Sequence, residues 1–135
     1  MPYFFAVAVP AGTPEADPAT QILTLTAGKI THVDIVIPAG HTGLAHLILL
    51  YHEVQVFPAS RSQDYHGDDV TLSFDIDRKL ESSPYEFKTV AWNDDETFDH
   101  EFQVNFVIEP VAAEYPVLDR STLDQFAARV QEELT

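Results

Sequence analysis

The sequence contains no cysteine among its 135 residues. Disulfide scaffolds, zinc ribbons, iron–sulfur sites and thiol nucleophiles all need that side chain, so these classes are excluded. Basic residues are also few: 7 Lys and Arg stand against 22 Asp and Glu, which gives a formal net charge of −15. Binding to a phosphate backbone or to an anionic membrane surface needs clustered Lys and Arg. We therefore expect no nucleic acid and no membrane among the partners.

Long apolar runs are missing as well. Runs such as Leu47 to Tyr51 are far shorter than a bilayer span, and Met1-Pro2-Tyr3 lacks the basic region that begins a signal peptide. No glycine-rich turn opens a helix, which excludes a nucleotide-binding βαβ unit. Hydrophobic residues nevertheless make up 45% of the chain. That share is enough for a domain of this size to form one core without covalent cross-links.

The acidic balance indicates a saline origin. Like charges repel one another in dilute buffer, whereas at molar salt the screening length falls to about 3 Å. Only three lysines, Lys29, Lys79 and Lys88, accompany the acids, while Ala, Val and Thr are abundant. This composition resembles that of proteins from extremely halophilic archaea and their viruses. An ordinary acidic protein of a mesophile is the alternative.

Alternation of apolar and polar side chains is the dominant pattern, and it is typical of a half-buried β-strand. It is clearest over residues 98–108 and recurs over 70–77 and 33–37, with turn residues between the segments. Seven or eight short strands at this spacing predict an all-β fold, an antiparallel β-sandwich or jelly roll. The residues expected to face its core include Val33, Ile35, Ile37, Val70, Leu72, Phe74, Ile76, Phe98, Phe102, Val104, Phe106 and Ile108. Further strands are expected at 3–9, 21–26, 44–51, 53–57 and 85–92.

Proline divides the chain into three parts. Residues 10–19 hold three prolines and predict an extended linker. We therefore place an N-terminal strand with its linker at 1–19, the β-sandwich at 20–110, and an extended segment with an amphipathic C-terminal helix at 111–135.

The expected helix begins at a weak capping box over residues 121–124. Its apolar side chains recur at helical spacing and form one stripe. This stripe either packs on its own sandwich or reaches a neighbouring subunit, and in the second case its residues bind the partner. They are Leu123, Phe126, Val130 and Leu134.

Histidine raises the question of a metal site. His41, His46 and His52 are spaced by five and six residues, and Glu53 follows the last of them. A metal-binding jelly roll of the cupin type uses a His-x-His pair, which this chain does not contain. The spacing therefore favours histidines at strand edges and on the surface.

The acidic turn that follows Trp92 offers oxygen ligands for a hard cation. Its weak candidates are Asp94, Asp95 and Asp99. The turn does not follow the spacing of an EF-hand loop, and aspartate is common in turns without an ion. We expect no metal there. A second acidic group with the same interpretation consists of Asp64, Asp68 and Asp69.

Catalytic motifs are not evident in the sequence. Ser, His and Asp all occur, but no Gly-x-Ser-x-Gly elbow does, so we expect no hydrolase triad, no enzymatic activity and no cofactor. Trp92, the only tryptophan, lies at the end of an expected strand. It is interpreted as a core anchor near the rim of the sandwich, with stacking on a sugar or on a partner side chain as the alternative.

Several turns and aromatic residues between Gly28 and Pro110 form a recognisable set. They are Val33-Asp34-Ile35-Val36-Ile37-Pro38-Ala39-Gly40, Gln55-Val56-Phe57-Pro58, Pro84-Tyr85-Glu86-Phe87, Ala91-Trp92-Asn93-Asp94-Asp95 and His100 in the last long strand. With these segments the stretch resembles a type of small β-sandwich protein encoded among the virion genes of tailed viruses and prophages. The first linker and the terminal helix lie outside the resemblance.

With the acidic composition, this resemblance implies a structural protein in the virion of a tailed virus that infects a halophilic archaeon. The expected role is a capsid accessory or decoration subunit that forms a homo-oligomer and contacts the major capsid protein or other virion proteins. Two alternatives stay open: a neck or tail adaptor of the particle, and a β-sandwich module that binds a carbohydrate or a cation.

Overall fold

The computed structural model describes residues 1–110, which form eight β-strands in two four-stranded sheets. The strands are β1 (Pro2–Val9), β2 (Ala19–Thr24), β3 (Gly28–Ile37), β4 (Ala45–Tyr51), β5 (Val54–Phe57), β6 (Val70–Lys79), β7 (Glu86–Asn93) and β8 (His100–Pro110). Every strand pair is antiparallel, so the expected all-β class is confirmed. The expected C-terminal helix lies outside the described residues. Within 1–110, no helix is long and apolar enough to cross a bilayer.

Strand pairing is nested along the chain. The first sheet has the order β1-β8-β3-β6 and the second β2-β7-β4-β5. In sequence terms, β1 therefore pairs with β8, β2 with β7, β3 with β6, and β4 with β5. Only the β4–β5 connection stays within one of the two described sheets, and the other six cross between them. The crossing loops place side chains from distant parts of the sequence next to one another.

Aromatic rings join the two sheets at the centre of the core. Phe87 of β7 stacks on Phe106 of β8 with the ring centroids 5.3 Å apart. Phe57 of β5 lies 5.6 Å from Phe87 and 6.5 Å from Phe106. Rings at such separations attract one another in addition to burying area. Other core residues, all fully buried, include Val33, Ile35, Leu47, Leu49, Phe102, Val104 and Ile108.

The alternation predicts the buried face of β8 correctly but misplaces its beginning. Phe102 and Phe106 are fully buried, as expected, whereas Phe98 is 65% exposed. β8 begins at His100, and Phe98 belongs to a turn that the Asp95 side chain closes. The expectation that Phe98 faces the core is therefore wrong, because the alternating pattern begins two residues before the first residue of the strand.

The inward face of β6 is only partly covered. Leu72, Phe74 and Ile76 are half-buried and pack against the core, while Val70 is exposed. A groove of about 620 Å³ lies between β6 and β5 and is lined by these three side chains together with residues 56–59. The two edge strands stand apart on this side, which explains why a regular apolar alternation does not lead to full burial.

The N-terminal part of the chain is more closely integrated than its prolines suggest. All eight residues of β1 pair with β8, so the sheets include the chain from Pro2 onward, not from residue 20. The connection from β1 to β2 is also held in place. Gly12 donates a backbone hydrogen bond to Asp95 (2.8 Å), and Thr13 accepts one from Asn93 (2.9 Å). Residues 11–13 of the expected extended linker are thus hydrogen-bonded to the end of β7 and to the β7–β8 turn.

Candidate functional site

The acidic turn between β7 and β8 uses Asp95 to close its own backbone. The Asp95 carboxylate accepts hydrogen bonds from the N–H groups of Thr97 (2.9 Å) and Phe98 (3.2 Å) and lies 2.9 Å from Nε2 of His100. These bonds, with that of Thr97 contributing most, lower the pKa of Asp95. Such an Asx turn needs no ion.

The other two weak candidates contact different neighbours. Asp99 accepts a hydrogen bond from the backbone N–H of Ala11 (2.8 Å). Asp94 lies 3.2 Å from Nε2 of His46. The structure therefore does not bring Asp94, Asp95 and Asp99 together as a ligand set, because each carboxylate is engaged by a separate partner.

The second acidic group also separates. Asp68 accepts hydrogen bonds from the backbone N–H groups of Gly40 (2.8 Å) and Thr42 (3.2 Å). These bonds, with that of Thr42 contributing most, lower the pKa of Asp68. Asp64 faces in another direction, towards two histidines. With these histidines it forms a group that the sequence analysis did not predict.

That group, His46, Asp64 and His66, is built by a short extension of the second sheet. The backbones of Leu47 and Tyr65 exchange two hydrogen bonds, of 3.0 and 2.8 Å. In an antiparallel register this pairing sets His46 opposite His66. Because side chains two residues apart point to the same face, Asp64 joins them there.

The distances within this trio, His46, Asp64 and His66, are short. Asp64 Oδ1 lies 2.6 Å from Nδ1 of His46 and 2.8 Å from Nδ1 of His66. One donor atom from each residue can be chosen so that all three lie within 4.8 Å of one another. Among residues 1–110, no other three histidine or acidic side chains bring their ligand atoms this close together.

Trp92 supports the trio from the neighbouring strand. Trp92 pairs with His46 across β7 and β4, and the two rings are stacked with centroids 5.3 Å apart and planes 10° apart. Trp92 is buried, but on the outer face of the second sheet and apart from the core between the sheets. The expectation that Trp92 is a core anchor near the rim of the sandwich is thus modified, because Trp92 packs against His46 instead. Since Trp92 is only 9% exposed, little of its ring is accessible for stacking on a sugar.

A second histidine cluster lies on the outer face of the first sheet. Ser73 Oγ lies 3.0 Å from Nε2 of His32, and Nδ1 of His32 lies 2.7 Å from Asp75, which is the order of groups in a Ser–His–Asp triad. Ser73, however, donates its hydroxyl proton to Asp34 (2.5 Å). The carboxylates, that of Asp75 first, raise the pKa of His32. Because the hydroxyl proton of Ser73 is directed to Asp34 and not to His32, this geometry does not support activation of Ser73 as a nucleophile.

His41 lies apart from the other two histidines of its sequence group. It is 2% exposed, and its ring lies against that of His100, with centroids 4.5 Å and planes 39° apart. Its Nε2 lies 2.9 Å from the carbonyl of Glu101, while Nδ1 has no hydrogen-bond partner in the described part of the chain. Burial lowers the pKa of His41. His52 is also separate, at the tip of the β4–β5 hairpin with a φ of 51°.

One lateral side of the molecule has no charge on its strands. The edge strands β1 and β2 adjoin there, and Gln21 Nε2 donates to the carbonyl of Ala6 (3.1 Å). Neither strand contains a charged residue, and Phe4 and Ile22 are 73% and 50% exposed. We call these residues, Pro2–Val9 and Ala19–Thr24, the β1/β2 side. The stripe expected to bind a partner, Leu123, Phe126, Val130 and Leu134, lies outside the described residues.

Comparison with known proteins adds no further information: no family model matches the chain, and no curated protein matches it.

Proposed function

We propose that the protein is a non-enzymatic structural subunit of a tailed-virus particle, a capsid accessory or decoration protein that self-associates and binds the capsid shell. Its fold in this proposal is a β-sandwich of the jelly-roll type followed by a C-terminal helix. The virus assignment rests on the resemblance carried by residues 28–110 and on the acidic composition. The assembly role rests on the β1/β2 side.

The nested pairing supports the jelly-roll assignment. A jelly roll arises when a ribbon of antiparallel pairs is wrapped so that alternate strands form two facing sheets. The four pairs β1–β8, β2–β7, β3–β6 and β4–β5 are such a ribbon. Viral capsid domains, lectins and cupins use this architecture. The fold is therefore compatible with the proposed role without selecting it.

The open edge of β1 carries the proposal of self-association. Met1 and Ile108 exchange two backbone hydrogen bonds of 2.9 Å. Because bonded and non-bonded pairs alternate in an antiparallel ladder, the N–H and C=O groups of Phe4, Ala6 and Ala8 point away from β8. Within residues 1–110, the carbonyl of Ala6 is the one of these groups that has a hydrogen-bond partner, the side chain of Gln21. A long edge strand with free backbone groups and no charge is a template for pairing with another strand.

A second copy of the chain is the occupant that we propose for this edge. Two molecules with a formal net charge of −15 repel each other over most of their surfaces. Approach through the β1/β2 side brings together only uncharged strands, and antiparallel pairing of two β1 strands satisfies the two-fold symmetry of an isologous dimer. Molar salt screens the remaining repulsion.

Light scattering coupled to size-exclusion chromatography in molar KCl tests this proposal. The wild-type protein should elute as an oligomer, and Phe4→Lys should dissociate it because the lysine would place a charge in the paired edge. Val54→Lys is the matched control, since Val54 is also an exposed apolar residue on an edge strand (51% exposed) but lies on β5. A monomeric wild type, or an oligomer that Phe4→Lys leaves intact, would contradict the proposal.

The contact with the shell is tested separately by deleting residues 120–135. The eight described strands all precede this segment, so we expect the truncated protein to stay folded but to bind particles more weakly or to lose its oligomeric state. Unfolding of the truncated protein would show that the segment belongs to its own core. Co-purification with neck or tail proteins instead of the shell would favour the adaptor role.

A further inference from the structure

The trio formed by His46, Asp64 and His66 is not used by the proposed assembly role. Its three side chains come from two segments that pair through a single β-bridge. Two imidazole nitrogens and one carboxylate oxygen form a donor set that binds Zn²⁺ and related divalent transition metals, whereas Mg²⁺ and Ca²⁺ prefer oxygen ligands throughout.

Without an ion, the hydrogen bonds of the trio require protons on three ring nitrogens. Both Nδ1 atoms carry protons if Asp64 Oδ1 accepts from His46 and His66 at once. Nε2 of His46 needs a proton as well in order to bond Asp94, 3.2 Å away. An ion bound by the two Nδ1 atoms and Asp64 would take the place of the two Nδ1 protons and leave His46 with one proton, on Nε2.

His46 is already held as a metal-ligating histidine usually is. Such a histidine donates its second ring N–H to a carboxylate, which fixes the tautomer and the orientation of the ring. Asp94 is placed to accept that proton, and the stacked ring of Trp92 fixes the plane of the imidazole. Asp94 is thus a positioning residue for His46, independent of the three atoms that face the ion.

The spacing and exposure of the trio suit an ion that enters from solvent. Ligand atoms around a tetrahedral zinc lie about 3.3 Å apart, given bonds of about 2.0–2.1 Å. The observed separations of 2.6 and 2.8 Å would need to widen by about 0.7 and about 0.5 Å. The side chains of His46 and Asp64 are 17% and 21% exposed, and that of His66 is 50% exposed, so the group is partly shielded but open on one side.

We propose that His46, Asp64 and His66 bind one divalent transition-metal ion, best matched by Zn²⁺, and that the ion fastens the loop around Tyr65 to β4. Three protein ligands leave one position of a tetrahedral ion for water or for a side chain of another molecule. This site is a departure from the sequence expectation of no metal. It is independent of the β1/β2 side, and each proposal can fail without the other.

The test uses the full chain, stripped with EDTA and dialysed, and titrated with ZnCl₂, CoCl₂, MgCl₂ and CaCl₂ by calorimetry. We expect one Zn²⁺ per chain, visible d–d bands with Co²⁺, and a rise in the melting temperature with Zn²⁺ that Mg²⁺ and Ca²⁺ do not produce at the same concentration. Asp64→Asn and His66→Gln should each weaken zinc binding at least tenfold.

His52→Gln is the matched control, because His52 lies on the hairpin tip and outside the trio. It should bind zinc as the wild type does. The melting temperature of each metal-free variant shows whether it is folded, and His66, being half-exposed, can be replaced without opening the core. Absence of zinc binding at micromolar concentrations, or unchanged affinity in both Asp64→Asn and His66→Gln, would overturn the proposal.

Discussion

Replacing Phe102 by alanine measures how much one core ring contributes to stability. Phe102 is fully buried in β8, and its ring lies edge-on to His41 with centroids 4.9 Å apart. Removing a buried phenylalanine side chain costs about 3–5 kcal/mol of unfolding free energy, through the lost transfer energy and the cavity that remains. Since a domain of this kind is stable by about 5–15 kcal/mol in total, the variant should be severely destabilised.

Phe98 provides the matched control for this substitution. It is the same residue type four positions earlier, but it is 65% exposed, so Phe98→Ala should change the unfolding free energy by less than about 0.5 kcal/mol. Urea unfolding in molar KCl gives both values, and the m-value should stay constant if only stability has changed. At about 3–5 °C per kcal/mol, Phe102→Ala should lower the melting temperature by roughly 10–20 °C. Equal effects of the two substitutions would refute the burial pattern of β8.

Two further predictions concern charge. Raising KCl from about 0.1 M to about 2 M, with EDTA present, should raise the melting temperature, and NaCl should act equally, because both salts screen the net charge of −15; a response to only one salt would point to specific ion binding. Stability should also fall as the pH is lowered below 6.5, because burial lowers the pKa of His41 and the unfolded chain then binds a proton that the folded chain excludes. His41→Gln should reduce the slope of the unfolding free energy against pH, which is at most about 1.4 kcal/mol per pH unit for one group. If urea titrations give the same slope for this variant as for the wild type, His41 is not the cause. The titratable groups facing His41 are His100 and Asp68. The raised pKa of His32 has the opposite effect on stability: it stabilises the folded chain below pH 6.5, and this stabilisation is lost as the pH rises. The pH dependence of His41→Gln must therefore be compared with that of the wild-type protein.

The strands could be predicted because their signal is local. A side chain in a strand faces the core or the solvent according to its parity, so Val33 and Ile35 or Val104 and Phe106 identify a buried face without knowledge of the partner strand. The same locality explains the error at Phe98. Alternation cannot report where a strand ends, since that is set by the turn that Asp95 closes through hydrogen bonds to the backbone.

Contacts between distant segments could not be predicted in the same way. The prolines in residues 10–19 predict an extended linker, but they do not indicate that Gly12 and Thr13 bond to Asp95 and Asn93. That contact depends on which loops meet at one end of the molecule, and hence on the order of all eight strands. The same holds for β1, whose pairing with β8 joins the two ends of the described chain.

The trio could have been found only in part. Asp64 and His66 have the two-residue spacing that places two side chains on one face of an extended segment, a signal comparable to His-x-His. The third member, His46, is joined to them by the register between Leu47 and Tyr65, eighteen residues apart. Nothing in the local sequence specifies that register, so the search for a histidine pair alone misses the site.

Histidine takes the place of the scarce basic residues on this acidic surface. Within residues 1–110, six contacts of 4.0 Å or less join a histidine nitrogen to an aspartate, against three that join a lysine to a carboxylate. An imidazole between two carboxylates relieves their repulsion only while it is protonated, or while a metal ion occupies the position of its proton. In the His32 cluster, one imidazole lies between Asp34 and Asp75, which contact opposite nitrogens of the ring. The two carboxylates therefore cannot both bind an ion that is held by one of these nitrogens. In the trio, His46 likewise lies between Asp64 and Asp94, but Asp64 also contacts Nδ1 of His66, so two imidazoles present Nδ1 to one carboxylate. This difference is why we propose a divalent cation for the trio and not for the His32 cluster.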